Sequence, residues 1–190
     1  QQYIYDKGWP SLTHIQNAAI KQVANTDHNL ILSAPTASGK TEAAFIPALN
    51  SVEDWETGLK VLYISPLKAL INDQFHRISE LSEYLDIPIT RWHGEVSQAQ
   101  KKKVVNQPKG VLLITPESIE GMLVNRPGEA QHLFKGVEWI IIDELHSFLG
   151  TERGIHLQSL LQRISRFMQA PRFIAMSATL NKKDFGYAKA

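Results

Sequence analysis

The sequence predicts an α/β fold, a mainly parallel sheet with helices on both faces. Short β-branched apolar runs recur at "NLILSA" (29–34), "KVLYIS" (60–65), "IPITRW" (87–92), "GVLLIT" (110–115), "EWIIID" (138–143) and "RFIAMS" (172–177). Each has the make-up of a buried strand. Between them lie segments with helical spacing: Leu67, Leu70, Ile71, Phe75, Ile78, Leu81 and Leu85, and later Leu157, Leu160, Leu161, Ile164 and Phe167 or Met168. Continuous apolar strands alternating with amphipathic helices need cover on both faces, and right-handed crossovers then line the strand C-termini along one edge, where ligands bind.

The first strand runs into "SAPTASGKTEAAF", Ser33 to Phe45. The spacing gives strand 29–34, a turn over 35–39 and a helix from about Lys40. The pattern G-x-x-x-x-G-K-[ST] is met from its second half onward by Gly39, Lys40 and Thr41, with Ala34 in place of the first glycine. Backbone N–H groups of Thr36, Ala37, Ser38 and Gly39 and of the helix start would surround a β-phosphate. Lys40 would neutralise β/γ oxygens, and Thr41 would offer its hydroxyl to Mg²⁺. The alternative is a capped helix with an exposed lysine.

The fifth strand ends in "IIIDELH", which sets Asp143 and Glu144 on the same edge. An aspartate there can hold Mg²⁺ through water, and the next glutamate can orient and deprotonate an attacking water. Equally, two acids would suit the dipole of a helix starting at that point. Thr13 to Gln16 is a T-x-x-Q capping box for an early helix. Pro66 to Leu70 and Thr115 to Ser118 each place a helix N-terminus after a strand. Either is a site for a backbone phosphate, and Thr115-Pro116 is also an ordinary N-cap with proline at N1. The stretches near 50–58 and 124–130 have the composition of loops.

Composition limits the rest. The chain has 190 residues, 43% of them hydrophobic, enough for one domain with a sizeable core. Twenty basic residues against 19 acidic ones, net charge +1, give no global attraction to a polyanion. There is no cysteine for a disulfide or thiolate metal site, and the seven histidines lack HExxH spacing. No apolar run approaches the roughly 20 residues needed to cross a bilayer. A soluble, cytoplasmic protein without a membrane partner is therefore expected. "KKK" at 101–103 reads as a solvated helix face. The chain begins at Gln1 and stops at "KDFGYAKA", so 1–190 is expected to be a piece of a longer protein.

"APTASGKT", "SPLKAL", "TPES", "DELH" and "SAT" stand in the order and spacing of the superfamily 2 helicase motifs. From about Trp9 to Leu180 the chain resembles the first RecA-like lobe of DEAD/DEAH-type helicases. "SPLKALINDQ" and "DELHSFLGTERGIHL" resemble the large helicase-related (Lhr-like) branch, near the Ski2-like helicases. The resemblance implies a RecA-like P-loop NTPase lobe that binds Mg-ATP in a cleft with a second RecA-like lobe, and that moves on DNA or RNA, as a single strand on the motif Ia/Ib face. Catalysis then falls to Glu144, Lys40 and Asp143, Mg²⁺ to Thr41 and Asp143, and the adenine edge to Gln16, with Trp9 upstream. His146, Ser177 and Thr179 would link the nucleotide to the strand, and Pro66, Lys68 and Thr115 would touch its backbone. Arg91 and "HGE" at 93–95 resemble a loop near the strand, where Trp92 and His93 would stack on a base or pack in the core.

Ala37 stands where many relatives have glycine, and nothing after "SAT" supplies a second lobe or its arginine pair. The lobe alone is expected to turn nucleotide over slowly or not at all. A nucleotide kinase would need a lid and an acceptor site, and "DELH" and "SAT" argue against it. A non-hydrolysing, nucleotide-gated clamp is the other alternative, and it has no need of Glu144. Gln16→Ala separates its two roles: loss of preference for adenine over guanine nucleotides marks the reader, whereas a lower melting temperature with selectivity unchanged marks the cap.

Overall fold

In the computed structural model, residues 5, 6, 8 and 11–180 are described. Six strands form one parallel sheet: β1 Leu30–Ser33, β2 Gly58–Ile64, β3 Ile89–Trp92, β4 Lys109–Ile114, β5 Trp139–Ile142 and β6 Arg172–Ser177. Their order is β1-β6-β5-β2-β4-β3, and every pairing is parallel. The helices are α1 His14–Asn25, α2 Lys40–Ser51, α3 Lys68–Glu83, α4 Gln98–Asn106, α5 Pro116–Asn125, α6 Pro127–Phe134 and α7 Glu152–Ser165. Among the described residues no helix is long and apolar enough to cross a membrane.

Strand alternation divides the core in two. Val61, Tyr63, Val111, Leu113, Ile141, Ile174 and Met176 face α1, α2 and α3, packing with Ala19, Ala44, Phe45, Ile71 and Ile78. Leu62, Ile64, Leu112, Ile114, Ile140 and Ile142 face the other way, onto Ile119 and Met122 of α5, Leu133 and Phe134 of α6, and Leu157, Leu160 and Ile164 of α7. Successive strand side chains point to opposite faces, so an unbroken apolar strand serves both layers. Burying each Leu, Ile or Phe contributes on the order of 1.5–3 kcal/mol.

Side chains join the layers at their ends. Arg172 starts β6 and caps the end of α1, its guanidinium donating to the carbonyls of Val23 (3.3 Å) and Thr26 (2.6 Å) while resting 4.4 Å from the Trp139 ring centroid. Glu120 of α5 accepts from Arg163 and His156 of α7, and the Arg163 hydrogen bond is the main reason its pKa falls to about 2, against the opposing effect of burial.

Two elements differ from the sequence expectation. The stretch expected as loop at 124–130 contains the start of α6, because Pro127 fixes its first turn and Ala130, Leu133 and Phe134, three and four residues apart, are buried. Asp143 and Glu144 lead into a 3₁₀ turn, Leu145–Ser147, and α7 starts only at Glu152 behind its own cap, Thr151, so the acidic helix start is not formed.

Gly110 has φ +71°, and a Cβ there would lie 2.0 Å from the Pro88 carbonyl oxygen, which accepts the Val111 N–H at 2.9 Å. Gly110→Ala is expected to lower stability by about 2 kcal/mol or more, read as a lower urea midpoint with an unchanged slope.

Candidate functional site

The loop after β1 departs from ordinary helix-start geometry. Ala37 has φ +60° and Gly39 φ +82°, and α2 starts after Gly39 without a side-chain cap. Left-handed residues in such a loop turn successive N–H groups toward one concavity, which with the helix start suits an anion. Ala37 thus occupies a conformation that favours glycine, at a cost on the order of 1 kcal/mol. Lys40 Nζ folds over the loop and donates to the carbonyls of Ala34 (2.5 Å) and Pro35 (2.6 Å). The Thr41 hydroxyl donates to Gln74 Oε1 at 3.3 Å, which leaves its oxygen lone pairs.

Gln16 is buried, and the capping box is formed: Gln16 Oε1 accepts from the Thr13 N–H at 2.9 Å, and its amide nitrogen faces the Gly39 carbonyl at 3.4 Å. The cap therefore fixes the side chain against the phosphate loop, and a second Oε1 lone pair and an amide proton remain. Ser11, Thr13, Gln16, Ala37, Ser38, Gly39, Glu42 and Arg77 line one open cavity of about 540 Å³. Sequence reasoning missed Glu42 and Arg77, which pair at 2.8 Å across α2 and α3. Only the fold brings these residues, 35 positions apart, together. Trp9 lies outside the described residues, and Thr36 sits exposed in the turn.

Asp143 is nearly buried. Its Oδ2 accepts from the phenol of Tyr63 and its Oδ1 from the Glu144 N–H at 2.9 Å. Burial pushes the Asp143 carboxyl up, opposed by those two hydrogen bonds and by the charges of Lys40 and Arg77. Burial, then the Asp143 charge, push the Tyr63 phenol well above its usual range, so it is a fixed donor. Glu144 stands in the left-handed region at φ +47°, a strained position for a side-chain-bearing residue. His146 Nδ1 is 3.2 Å from Glu144 Oε2 and 3.2 Å from Ser177 Oγ, and that hydroxyl donates to the Thr179 carbonyl at 2.9 Å. The turn after β5 and the exit of β6 are thereby joined. The Thr179 contribution is its carbonyl.

Pro66, Lys68 and Thr115 lie further along the same edge, beyond β2 and β4, apart from the cavity. Lys68 opens α3 and pairs with Glu95, both side chains exposed. The Thr115 hydroxyl accepts the Ser118 N–H at 3.3 Å, so its capping role is realised. Trp92 is buried in the core, and His93, also buried, meets Asn72 Oδ1 at 3.2 Å. Burial, then Arg91, hold the His93 pKa down. Of the two readings of these rings, packing is the one formed.

A parallel sheet carrying a glycine-lysine-threonine loop and a carboxylate pair on one edge defines a P-loop domain of the RecA-like type. The DEAD/DEAH box helicase model matches residues 13–185, and the chain belongs to that family. Within it the chain is similar to Lhr proteins: the ATP-dependent helicase Lhr-Core of Methanocaldococcus jannaschii, 31% identical over 93% of this chain and 23% of that protein. The Lhr helicase/uracil glycosylase of Escherichia coli is 34% identical over 88% of this chain and 12% of that protein. Mycobacterium smegmatis helicase Lhr, solved bound to ssDNA and AMP-PNP, superimposes with a TM-score of 0.83 at 28% identity, over 96% of this chain and 25% of that one. The chain thus spans less than a quarter of the curated relatives named.

Tyr63 is the site residue least visible in sequence, a strand tyrosine that reads as core. Tyr63→Phe keeps the packing and removes one donor from a buried carboxylate. A loss of about 1–3 kcal/mol in unfolding free energy is expected, read as a lower urea midpoint, whereas an unchanged midpoint would show that the phenol hydrogen bond contributes nothing.

Proposed function

We propose that this chain is the first of two RecA-like lobes of an ATP-dependent helicase or translocase. The observation that carries the reading is the meeting, at the adjoining ends of β1, β6 and β5, of the Lys40 loop, the Asp143–Glu144 turn and the His146–Ser177 contact. Family membership and the single-strand and nucleotide-analogue complex of the Mycobacterium smegmatis Lhr support it.

The donor set fits the triphosphate of ATP. N–H groups of the loop from Thr36 to Gly39 and of the α2 start take phosphate oxygens, and the Lys40 amine exchanges its loop carbonyls for β/γ oxygens. Thr41 and Asp143 offer the hard oxygen ligands that suit Mg²⁺, which when bound neutralises charge on the β- and γ-phosphates. Gln16 presents amide groups to the adenine edge. Glu144 takes the proton of the water whose oxygen bonds to the γ-phosphorus as the bond to the bridging oxygen breaks. A site that only gated a clamp would have no use for that carboxylate. His146, touching both Glu144 and Ser177, transmits the state of the nucleotide to the exit of β6.

The strand, DNA or RNA, would lie across the ends of β2 and β4, with Lys68 exchanging Glu95 for a phosphate and the α3 and α5 starts holding the backbone. Such contacts do not read bases. The second lobe would close over the nucleotide and supply an arginine to the transferring phosphoryl group.

Steady-state ATP hydrolysis by the complete protein, with and without single-stranded DNA or RNA, tests this reading. Lys40→Ala is expected to abolish nucleotide binding and strand-stimulated turnover together. Glu144→Gln is expected to retain nucleotide and lower turnover by about 10²-fold or more; wild-type turnover in that variant would remove Glu144 from the mechanism.

A further inference from the structure

The geometry points to Arg153 as a positioning residue that ties together the two strand-exit loops of the nucleic-acid face. The inference rests on the proposal that this face holds a single-strand backbone. Arg153 Nη2 donates to the Pro66 carbonyl at 2.8 Å and to Glu117 Oε1 at 2.7 Å, and the guanidinium lies 5.5 Å from the Phe148 ring centroid. Pro66 precedes α3 and Glu117 is the second residue of α5. One side chain therefore bridges two helix starts that lie 51 residues apart in sequence (117 − 66).

The bridge stands where the sheet stops supporting the loops. Between β2 and β4 the ladder ends with the Ser65 N–H on the Ile114 carbonyl at 3.1 Å. Beyond it, Leu67 at the α3 start makes no side-chain cap, and Thr115 caps only its own helix. A backbone phosphate received by two helix starts needs their separation fixed before it arrives, since ordering them on binding would cost affinity. Arg153 supplies that fixing. It also pairs the one acid in the first turn of α5, which would otherwise repel a phosphate. Although burial raises it, the Glu117 carboxyl is held below its usual range by a backbone N–H and by Arg153.

The bridge is anchored to the turn after β5. The Thr151 hydroxyl donates to the Phe148 carbonyl at 2.7 Å and its oxygen accepts the Gly154 N–H at 3.2 Å. A Cβ on Gly154 would lie 2.0 Å from that same carbonyl oxygen, so glycine is needed for the chain to bring Arg153 over Phe148. The segment that carries Glu144 and His146 thus leads directly to the residue that sets the spacing of the strand grips. The other arrangement is direct, with Arg153 leaving both partners to bind a phosphate itself.

Salt dependence separates the two. Binding of a labelled oligothymidylate to the complete protein is measured by fluorescence anisotropy at three or more salt concentrations, wild type against Arg153→Gln, beside Mg-nucleotide affinity. A positioning role gives a Kd raised about fivefold or more at every salt concentration, parallel log–log lines, and nucleotide affinity within twofold of wild type. Unchanged strand affinity overturns the inference, as does a slope shallower by about one, which would mark a phosphate contact by Arg153 itself. Should the glutamine variant not fold, Arg153→Lys retains the charge on a shorter, non-planar side chain: a smaller loss in the same sense is expected, and wild-type affinity overturns the inference. A wild-type protein that binds nucleotide but no strand removes both this inference and the reading of the face beneath it.

Discussion

Everything functional in this domain depends on one constraint, the parallel hydrogen bonding of β1, β6, β5 and β2. Parallel pairing forces every strand to end at the same edge, and the ladder continues past the strands into the loops. The Ala34 N–H donates to the Ser177 carbonyl and the Asp143 N–H to the Ile64 carbonyl. The phosphate loop, the carboxylate turn and the "SAT" segment are therefore placed by backbone hydrogen bonds before any of their side chains interact.

The side chains then manage charge. Asp143 is a carboxylate in a nearly dry position, and its burial disfavours ionisation. A phenol, a backbone N–H and two nearby cations offset part of that cost, which is the state a hard cation would require. Glu144 differs. It stands in strained backbone, partly exposed and touching His146. Two adjacent acids of similar chemistry are thus given different environments by depth and backbone conformation, which suits the separate roles proposed for them.

On the face proposed to hold the strand, Lys68 is paired with Glu95 and Arg153 with Glu117. With a net charge of only +1, attraction of a polyanion to that face would come from local exchange of partners and from helix starts. The exposed Lys68–Glu95 pair is worth little by itself, so its exchange for a phosphate, as proposed, would be inexpensive. Arg153, with two acceptors and an aromatic ring beneath it, is far more firmly held.

The sequence by itself determined the six strands, their alternation with helices and the residues of the phosphate loop and carboxylate turn, because each is written in local spacing and short motifs. It also gave the capping box around Gln16. It left open whether Trp92 and His93 face a base or the core, since a ring at a strand end reads the same either way. Residues whose roles arise from meeting distant partners were not legible: Tyr63 reads as one more buried strand residue until β2 pairs with β5 and its hydroxyl reaches Asp143. Glu42 and Arg77, and Arg153 with Pro66 and Glu117, likewise gain meaning only when the sheet order sets their elements side by side. Periodicity encodes what a segment buries, whereas the identity of the buried partner is decided by tertiary packing.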